Sequence, residues 1–309
     1  MKVLLTGASG FLGRHVLDAL HNARIEVVVL GRTRPAGIAE PSFIAADLLV
    51  TQDLAPCMHA AGASHLLHLA WVTEHGRYWT SPENLRWVEA TLRLVQAFCE
   101  SGGQHVVVAG TCAEYAWDER PCREDDTALL PGTLYGTAKD ATRRLLEALC
   151  VQEQVRFAWG RIFFPFGPGE GAARLLPRLI EALKGRAAPF GVGVAARRDF
   201  LYASDVAQAL VTLVQGAAAG CFNIGSGEAT AVGELVRMLA RLLERDPRCV
   251  LGQAAERATG PSLLLADNCK LRALGWQPQF TLEQGLENMV LLHESAMKMK
   301  ARGEVSCAE

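Results

Sequence analysis

The chain has 309 residues, of which 50% are hydrophobic and 21% are charged, and its formal net charge is −2. This balance gives no reason to expect nucleic-acid or membrane partners, and no apolar run reaches the ~20 residues that span a bilayer. Nine scattered cysteines without a C-x-x-C pair predict reduced thiols rather than disulfides or a metal site. Because strand character starts at residue 3, we expect no signal peptide and a cytoplasmic protein.

A glycine-rich stretch opens the chain. Residues 3–5 predict a short buried strand, and residues 11–20 have the apolar periodicity of a helix. Gly7, Gly10 and Gly13 lie between them at three-residue spacing. In a strand-to-helix turn this spacing predicts a pyrophosphate site, because the N–H groups of the helix terminus favour an anion and glycines let it approach.

The second predicted strand, residues 26–30, is mostly apolar and should be buried on both faces. It ends in Gly-Arg-Thr-Arg at 31–34, the end that faces the adenosine ribose in a dinucleotide fold. An acidic residue there binds the ribose 2′-hydroxyl, whereas an arginine accommodates a 2′-phosphate. Arg32 and Arg34, with no acidic neighbour, therefore favour NADP(H) over NAD(H).

Strand and helix signals alternate through the first half of the chain. Further apolar stretches predict strands at 43–47, 64–70, 105–109 and 155–162. An amphipathic helix is predicted from Leu85 to Phe98. His68 lies inside the apolar fourth stretch, and we interpret it as a hydrogen-bonded core residue rather than a catalytic one. The alternation predicts an α/β fold with a Rossmann-type, doubly wound parallel sheet and helices on both faces.

Pro165 to Gly169 interrupts this alternation, and we place a domain boundary there. We expect a dinucleotide-binding domain at 1–163 and a smaller α+β substrate domain at 164–309, with 199–226 packing back on the first. Helices are predicted at 174–183, 205–214, 232–243 and 282–297, and strand character at 197–202 and 221–227.

Three residues lie where such a fold places chemistry. Thr111 follows the fifth strand, at the carboxyl edge where open α/β sheets bind ligands. Tyr135 and Lys139 are four residues apart and share one helix face. An ammonium group near a phenol favours the phenolate, so this pair suits proton exchange coupled to hydride transfer by a nicotinamide.

In this order, the motifs resemble the extended branch of the short-chain dehydrogenase/reductase superfamily, which contains nucleotide-sugar epimerases, dehydratases and ketoreductases. The motifs are Thr6–Gly13, Asp47-Leu48, Thr111, Tyr135-x-x-x-Lys139, Arg161, Gly167-Pro-Gly169, Arg198–Val206, Phe222–Ser226 and Leu274-Gly-Trp276. They cover nearly the whole chain.

The resemblance implies roles for individual residues. Tyr135 would be the proton donor or acceptor, Thr111 would hold the substrate oxygen, and Lys139 would bind the nicotinamide ribose. The full set of expected cofactor contacts is Gly7, Gly10, Phe11, Leu12, Gly13, Arg32, Arg34, Asp47, Leu48, Ala70, Tyr135 and Lys139. The expected substrate contacts are Glu114, Phe164, Arg198 and Arg257, of which the two arginines would bind a diphosphate.

The chain also departs from the family pattern. Many relatives have an asparagine where this chain has Trp87, and another where it has Phe164. Dehydratases of this branch carry adjacent Asp and Glu residues after the catalytic threonine, whereas here the pair is Ala113 and Glu114. Half of the elimination apparatus is therefore missing.

We expect an NADPH-dependent reductase of a nucleotide-activated 4-keto-6-deoxysugar. The alternatives are a sugar-nucleotide 4-epimerase that uses NAD, a reductase of a non-nucleotide carbonyl, and a dinucleotide-sensing regulator without catalysis. A homodimer is expected because relatives pair through the two long helices. The apolar positions available there are Leu85, Leu92, Val95, Leu145, Leu146 and Leu149, which could equally face the sheet.

Overall fold

Parallel strands dominate the first half of the structure, a computed structural model that describes residues 1–253 and 260–301. The strands are β1 (Lys2–Thr6), β2 (Glu26–Gly31), β3 (Phe43–Ala45), β4 (His65–His68), β5 (His105–Thr111), β6 (Arg156–Ile162), β7 (Phe164–Phe166), β8 (Arg197–Arg198), β9 (Phe200–Tyr202), β10 (Gly220–Ile224), β11 (Thr230–Ala231) and β12 (Leu263–Leu264). The helices are α1 (Phe11–Asn22), α2 (Ala55–Ala61), α3 (Glu83–Glu100), α4 (Leu134–Gln152), α5 (Leu175–Leu183), α6 (Ala203–Gln215), α7 (Val232–Leu242), α8 (Arg248–Leu251), α9 (Cys269–Arg272) and α10 (Leu282–Ala301).

Seven strands form one sheet in the order β10-β6-β5-β4-β1-β2-β3, and every pair in it is parallel. This confirms the predicted doubly wound fold. The strand order reverses at β1, which has β2 on one side and β4 on the other. In open α/β sheets, ligands bind outside the carboxyl ends of the strands at such a switch point.

Alternate residues of β1 point into two separate core layers. Val3 and Leu5 pack with side chains of α1 and α6, whereas Leu4 packs with side chains of α2, α3 and α4. Successive residues of a strand face opposite sides of the sheet. Because helices cover both sides, the strand has to be apolar at consecutive positions, and Val3, Leu4 and Leu5 show this pattern in the sequence.

After β6 the chain alternates between this sheet and a second layer. β10 is the outer strand of the sheet, and α6 packs on α1. Residues of α5, α7 and α10 enclose another core, to which Leu179, Leu235 and Leu286 belong. Two small sheets, β7 with β9 and β8 between β11 and β12, connect this core to the carboxyl edge of the large sheet.

Within residues 1–253 and 260–301, no helix is both long enough and apolar enough to cross a membrane. In the same part of the chain, His, Cys, Asp and Glu side chains form no group of three or more that could hold a metal ion. The eight cysteines found there are free thiols.

Candidate active site

The glycine-rich turn joins β1 to α1 at the switch point of the sheet. Gly7 has φ +74°, in the left-handed region that favours glycine. A Cβ on Gly13 would overlap the carbonyl oxygen of Gly7, so only glycine lets the helix approach the strand this closely. The cap residue Gly10 offers no side chain, and the first turn of α1 holds no acidic residue. The N–H groups of this helix end are therefore open to an anion, which the helix dipole also favours.

A cavity of about 160 Å³ opens beside this turn. Five of the predicted cofactor residues line it, namely Gly7, Arg32, Asp47, Leu48 and Ala70. The cavity lies at the ends of β1 to β4, where the fold would hold the adenosine half of a dinucleotide. The residues present therefore fit such a cofactor, with backbone N–H groups for its phosphates and Arg32 beside its ribose.

The other predicted cofactor residues near this end lie outside the cavity lining. Phe11 and Leu12 are half-buried in the first turn of α1, and Arg34 is exposed two residues beyond Arg32. Asp47 accepts a hydrogen bond from the Leu49 N–H at 3.0 Å. That bond fixes the carboxylate at the end of β3, on the edge of the cavity.

Thr111, Tyr135 and Lys139 come together at the carboxyl end of β5. Helix α4 starts at the Thr133 cap, whose hydroxyl accepts from the Gly136 N–H at 3.1 Å, and Tyr135 lies in its first turn. Burial raises the pKa of the Tyr135 phenol, and a hydrogen bond with Thr111 opposes that rise. The phenol is therefore a proton donor as it stands, and a nearby positive charge is needed to make it a base.

Lys139 lies one turn further along α4, on the same face as Tyr135. Its ammonium group donates to the Ala109 carbonyl at 2.9 Å and is almost fully buried. Burial lowers the pKa of Lys139 to about 7, and the negative charge of Glu114 opposes this effect. The ammonium lies 3.8 Å from the centre of the Trp71 ring.

The structure does not support the expected substrate contact of Glu114. Its side chain is fully buried, and its carboxylate accepts hydrogen bonds from the Arg161 Nε at 2.7 Å and from the Trp159 indole at 2.9 and 3.0 Å. It also accepts from the Thr111 N–H at 2.8 Å. We call the carboxyl edge of the sheet around Thr111, Tyr135 and Lys139 the cleft. Glu114 is buried beneath it, where it holds the backbone of Thr111. A carboxylate with these partners is not a free acid for elimination chemistry.

His68 is a core residue, as predicted. One ring nitrogen lies 2.7 Å from the Thr6 hydroxyl and the other 3.0 Å from the Thr91 hydroxyl. Burial, reinforced by the charge of Lys139, lowers the pKa of His68 to about 3. The ring is therefore neutral at physiological pH and ties β1 to α3.

Phe164 in β7 and Arg198 in β8 lie next to each other. The guanidinium group of Arg198 lies 5.6 Å from the centre of the Phe164 ring and donates to the Arg197 carbonyl at 2.8 Å. Burial lowers the pKa of Arg198. Among the described residues it forms no ion pair, so it is available to an anion. Arg257 lies outside the described residues.

Sequence reasoning missed a group of residues between β4 and α3. Trp71 lines the cofactor cavity, and Asn84, which is fully buried, accepts a hydrogen bond from its indole at 2.8 Å. Asn84 also donates to the Tyr78 carbonyl at 2.7 Å, and the Tyr78 ring meets the Tyr135 ring edge-on at 4.9 Å. The concentration of aromatic residues at positions 71–79 was the signal that could have found them.

The fold and this site define the class of the protein: an NAD(P)-dependent enzyme of the short-chain dehydrogenase/reductase type. The family model "NAD dependent epimerase/dehydratase family" matches residues 3–225, and the chain belongs to that family. The resemblance noted in the sequence is thereby confirmed.

Individual relatives cover most of the chain. It is 25% identical over 314 residues to the trifunctional UDP-glucose 4,6-dehydratase/UDP-4-keto-6-deoxy-D-glucose 3,5-epimerase/UDP-4-keto-L-rhamnose-reductase RHM2 of Arabidopsis thaliana, with 93% of this chain but only 46% of the relative aligned. The chain thus spans about half the length of that enzyme. It is 24% identical to the dTDP-4-dehydro-6-deoxyglucose reductase of Escherichia coli, over 93% of this chain and 96% of the relative. The solved structure of MoeE5 with UDP-glucose and NAD is 31% identical, with TM-score 0.85, over 96% of this chain and 100% of that one.

Proposed function

We propose that the chain is an NADP(H)-dependent reductase of the keto group of a nucleotide-activated 4-keto-6-deoxysugar. The observation that carries the proposal is Arg32, which lines the cavity at the end of β2, where residues 31–34 include no acid to bind a ribose 2′-hydroxyl. A guanidinium fork matches a 2′-phosphate instead. Net reduction consumes NADPH, whereas a 4-epimerase returns its hydride and needs no supply of it.

Thr111, Tyr135 and Lys139, which come together at the end of β5, suit the proton transfer that accompanies this reduction. The bound dinucleotide supplies the hydride. Tyr135 gives its proton to the oxygen that becomes a hydroxyl, and Thr111 donates a hydrogen bond to the same oxygen. The charge of Lys139 stabilises the phenolate that remains. The cofactor contacts follow the expected set, with Gly7, Gly10 and Gly13 at the pyrophosphate.

Arg198 supports a sugar nucleotide as the substrate. It is half-buried, makes no ion pair in the described part of the chain, and stands beside the Phe164 ring. Arginine forks pair with phosphate oxygens in a charge-assisted, bidentate way. We assign the diphosphate to Arg198 together with Arg257, and the sugar to the space between Phe164 and Tyr135. A reductase of this class from Escherichia coli is among the relatives.

The proposal is tested by incubating the purified protein with the dTDP-, CDP- and GDP-linked 4-keto-6-deoxysugars and following the absorbance of NADPH or NADH. We expect oxidation of NADPH with at least one of them, and slower oxidation of NADH. Tyr135→Phe should reduce kcat by about 10²–10⁴-fold while NADPH still raises the melting temperature of the variant. If none of the three ketosugars caused oxidation of NADPH or NADH, the proposed reaction would be overturned. Faster oxidation of NADH than of NADPH would overturn the cofactor assignment.

A second candidate is an NAD-dependent 4-epimerase of a sugar nucleotide. It is favoured by MoeE5, the 31% identical structure, which holds UDP-glucose together with NAD. An epimerase should keep its cofactor through purification and turn over without added NADPH. Arg198→Ala tests whether the substrate is instead a non-nucleotide carbonyl. Loss of a diphosphate contact would raise KM strongly for a sugar nucleotide, whereas KM for a carbonyl without a diphosphate would stay unchanged.

We propose that the protein is a cytoplasmic homodimer that pairs through α3 and α4. Leu85 and Leu145 are 59% and 52% exposed on these helices, and Val151 near the end of α4 is 75% exposed. Val95 and Leu146 are buried against the sheet and do not contribute. Sedimentation of the wild type and of Leu85→Lys/Leu145→Lys distinguishes the two states, since the charged variant should sediment as a monomer.

We also propose that the chain is divided between residues 163 and 164 into a cofactor-binding part and a substrate-binding part. The residues that we propose for the cofactor lie in the first part, from the turn after β1 to α4, whereas Phe164 and Arg198, proposed for the substrate, lie in β7 and β8. Limited proteolysis with and without NADPH tests the division, because cofactor should protect the first part more than the second.

A further inference from the structure

Lys139 has an unusual environment for a buried cation. It is 3% exposed, and among the described residues no carboxylate forms an ion pair with it. Within the described part of the chain, its ammonium group donates one hydrogen bond, to a neutral acceptor, the Ala109 carbonyl. Its charge interacts with His68 from β4 and with Glu114 from the turn after β5, and Tyr135 lies one turn earlier on its own helix. His68 is neutral, and Glu114 is already bonded to Arg161.

The face of Trp71 occupies the place that a counter-ion would take. The Lys139 ammonium is 3.8 Å from the centre of this ring, within the range of a strong cation–π contact. The next indole, Trp159, is 6.0 Å away, at the limit of that range. Trp71 is itself buried, so the contact is little screened by water.

The orientation of the Trp71 ring is fixed from two sides. Its indole N–H donates to Asn84 at 2.8 Å, and Asn84 is held by the carbonyls of Tyr78 and Ser81 at 2.7 and 2.9 Å. Trp87 stacks on the ring at a centroid distance of 6.2 Å and an angle of 28°. A side chain restrained in this way presents a constant face to Lys139.

We propose that Trp71 is a positioning residue for Lys139, and that its ring face keeps the buried ammonium group charged and aimed along the floor of the cleft. Without such support, burial favours the neutral amine, which could neither stabilise the phenolate of Tyr135 nor serve as a cation for a cofactor. The catalytic consequence rests on the proposed function, whereas the effect on Lys139 does not.

The test changes the charge distribution of the ring without changing its shape. The chain has six tryptophans and six lysines. Protein is prepared with ¹³C-labelled lysine and with tryptophan, monofluorotryptophan or a more highly fluorinated tryptophan, without cofactor or substrate. Titration of the lysine ε-carbon signals by NMR gives each pKa, and a Lys139→Met sample assigns the signal. Fluorine withdraws electron density from the ring face, so the pKa of Lys139 should fall stepwise, by up to about one pH unit.

Trp71→Phe provides the matched background. In this variant the same fluorination series should leave the pKa of Lys139 unchanged, because the remaining indoles do not face the ammonium closely. In a Trp159→Phe background the stepwise fall should persist, which keeps the test decisive if Trp71→Phe does not fold. The proposal would be overturned if fluorination left the pKa of Lys139 unchanged, or if the pKa fell by the same amount in the Trp71→Phe protein. Since no turnover is measured, neither result depends on the substrate assignment.

Discussion

Glu114 offers a direct test of how the floor of the cleft is held together. Its carboxylate receives donors from Arg161, Trp159 and the Thr111 backbone, and it is closed off from solvent. Glu114→Gln keeps the shape of the side chain and removes its charge. The Arg161 guanidinium, 1% exposed, is then left in the core without a counter-charge. Its other hydrogen-bond acceptor, the Tyr115 hydroxyl at 3.0 Å, is neutral.

The expected cost follows from the burial of both groups. Removing one partner of a buried ion pair costs about 3–5 kcal/mol, because the remaining charge stays desolvated. In a protein of this size, each kcal/mol lowers the melting temperature by about 2–4 °C. We therefore expect Glu114→Gln to melt about 6–20 °C below the wild type.

Thermal unfolding followed by circular dichroism at pH 7 measures this difference. The matched control is Glu74→Gln, which removes an exposed ion pair with Arg77 at 3.0 Å and should cost less than about 1 kcal/mol. The double variant Glu114→Gln/Arg161→Met should lose less than the sum of the single losses, since no unpaired charge remains. A Glu114→Gln protein that melts as the control does would refute the reasoning.

Two further predictions concern backbone packing and pH. Gly136→Ala should lower kcat by about 10²-fold and reduce the free energy of unfolding by about 1–3 kcal/mol. The reason is that a Cβ at this position would overlap the Ala113 carbonyl oxygen and push the Tyr135 turn away from Thr111. Single-turnover kinetics and thermal melting measure the two effects, and full activity would contradict the prediction. Glu170 has a buried carboxylate oxygen without a hydrogen-bond partner in the described chain, and burial raises its pKa to about 8 from 4.5. The folded state then binds more protons than the unfolded state between these values, so this residue's contribution to stability is lost as pH rises from about 5 to 8. Glu170→Gln should melt with a flatter pH dependence over that window, and an unchanged slope would show that Glu170 is ionised in the fold.

The sheet was predictable because its physical signals are local. The strands buried on both faces are mostly apolar, and the turn from β1 to α1 carries three glycines. The ends of elements were less accurate: the third strand stops at Ala45 rather than 47, since Asp47 already turns the chain through its bond to Leu49. Leu85 was assigned to the apolar face of its helix but is exposed, and the buried residue of this first turn is its neighbour Asn84, which is hydrogen-bonded to the segment between β4 and α3.

The candidate site was predictable only where spacing along the chain determines geometry. Tyr135 and Lys139 share a helix face, and Gly7 and Gly13 flank one turn, so their proximity follows from local structure. The burial of Glu114 does not, because it depends on donors 45 and 47 residues away on β6. The contact of Trp71 with Lys139 likewise joins the segment after β4 to α4, and no periodicity in the sequence encodes it.

The contacts of Glu114 with Arg161 and of Trp71 with Lys139 both stabilise a buried positive charge. Arg161 and Lys139 are both buried cations under the cleft, and Glu114 is the carboxylate near both of them. Glu114 is in direct contact with Arg161, and its charge reaches Lys139 from a greater distance. Lys139 therefore depends on two separate supports, the ring face of Trp71 and the field of Glu114. In the described part of the chain no hydrogen bond joins Trp71 to Glu114, so their effects on Lys139 should add. In Glu114→Gln protein, fluorination of tryptophan should therefore lower the pKa of Lys139 by the same increment as in the wild type, from a lower starting value. A smaller increment would mean that loss of the ion pair also displaces the ring.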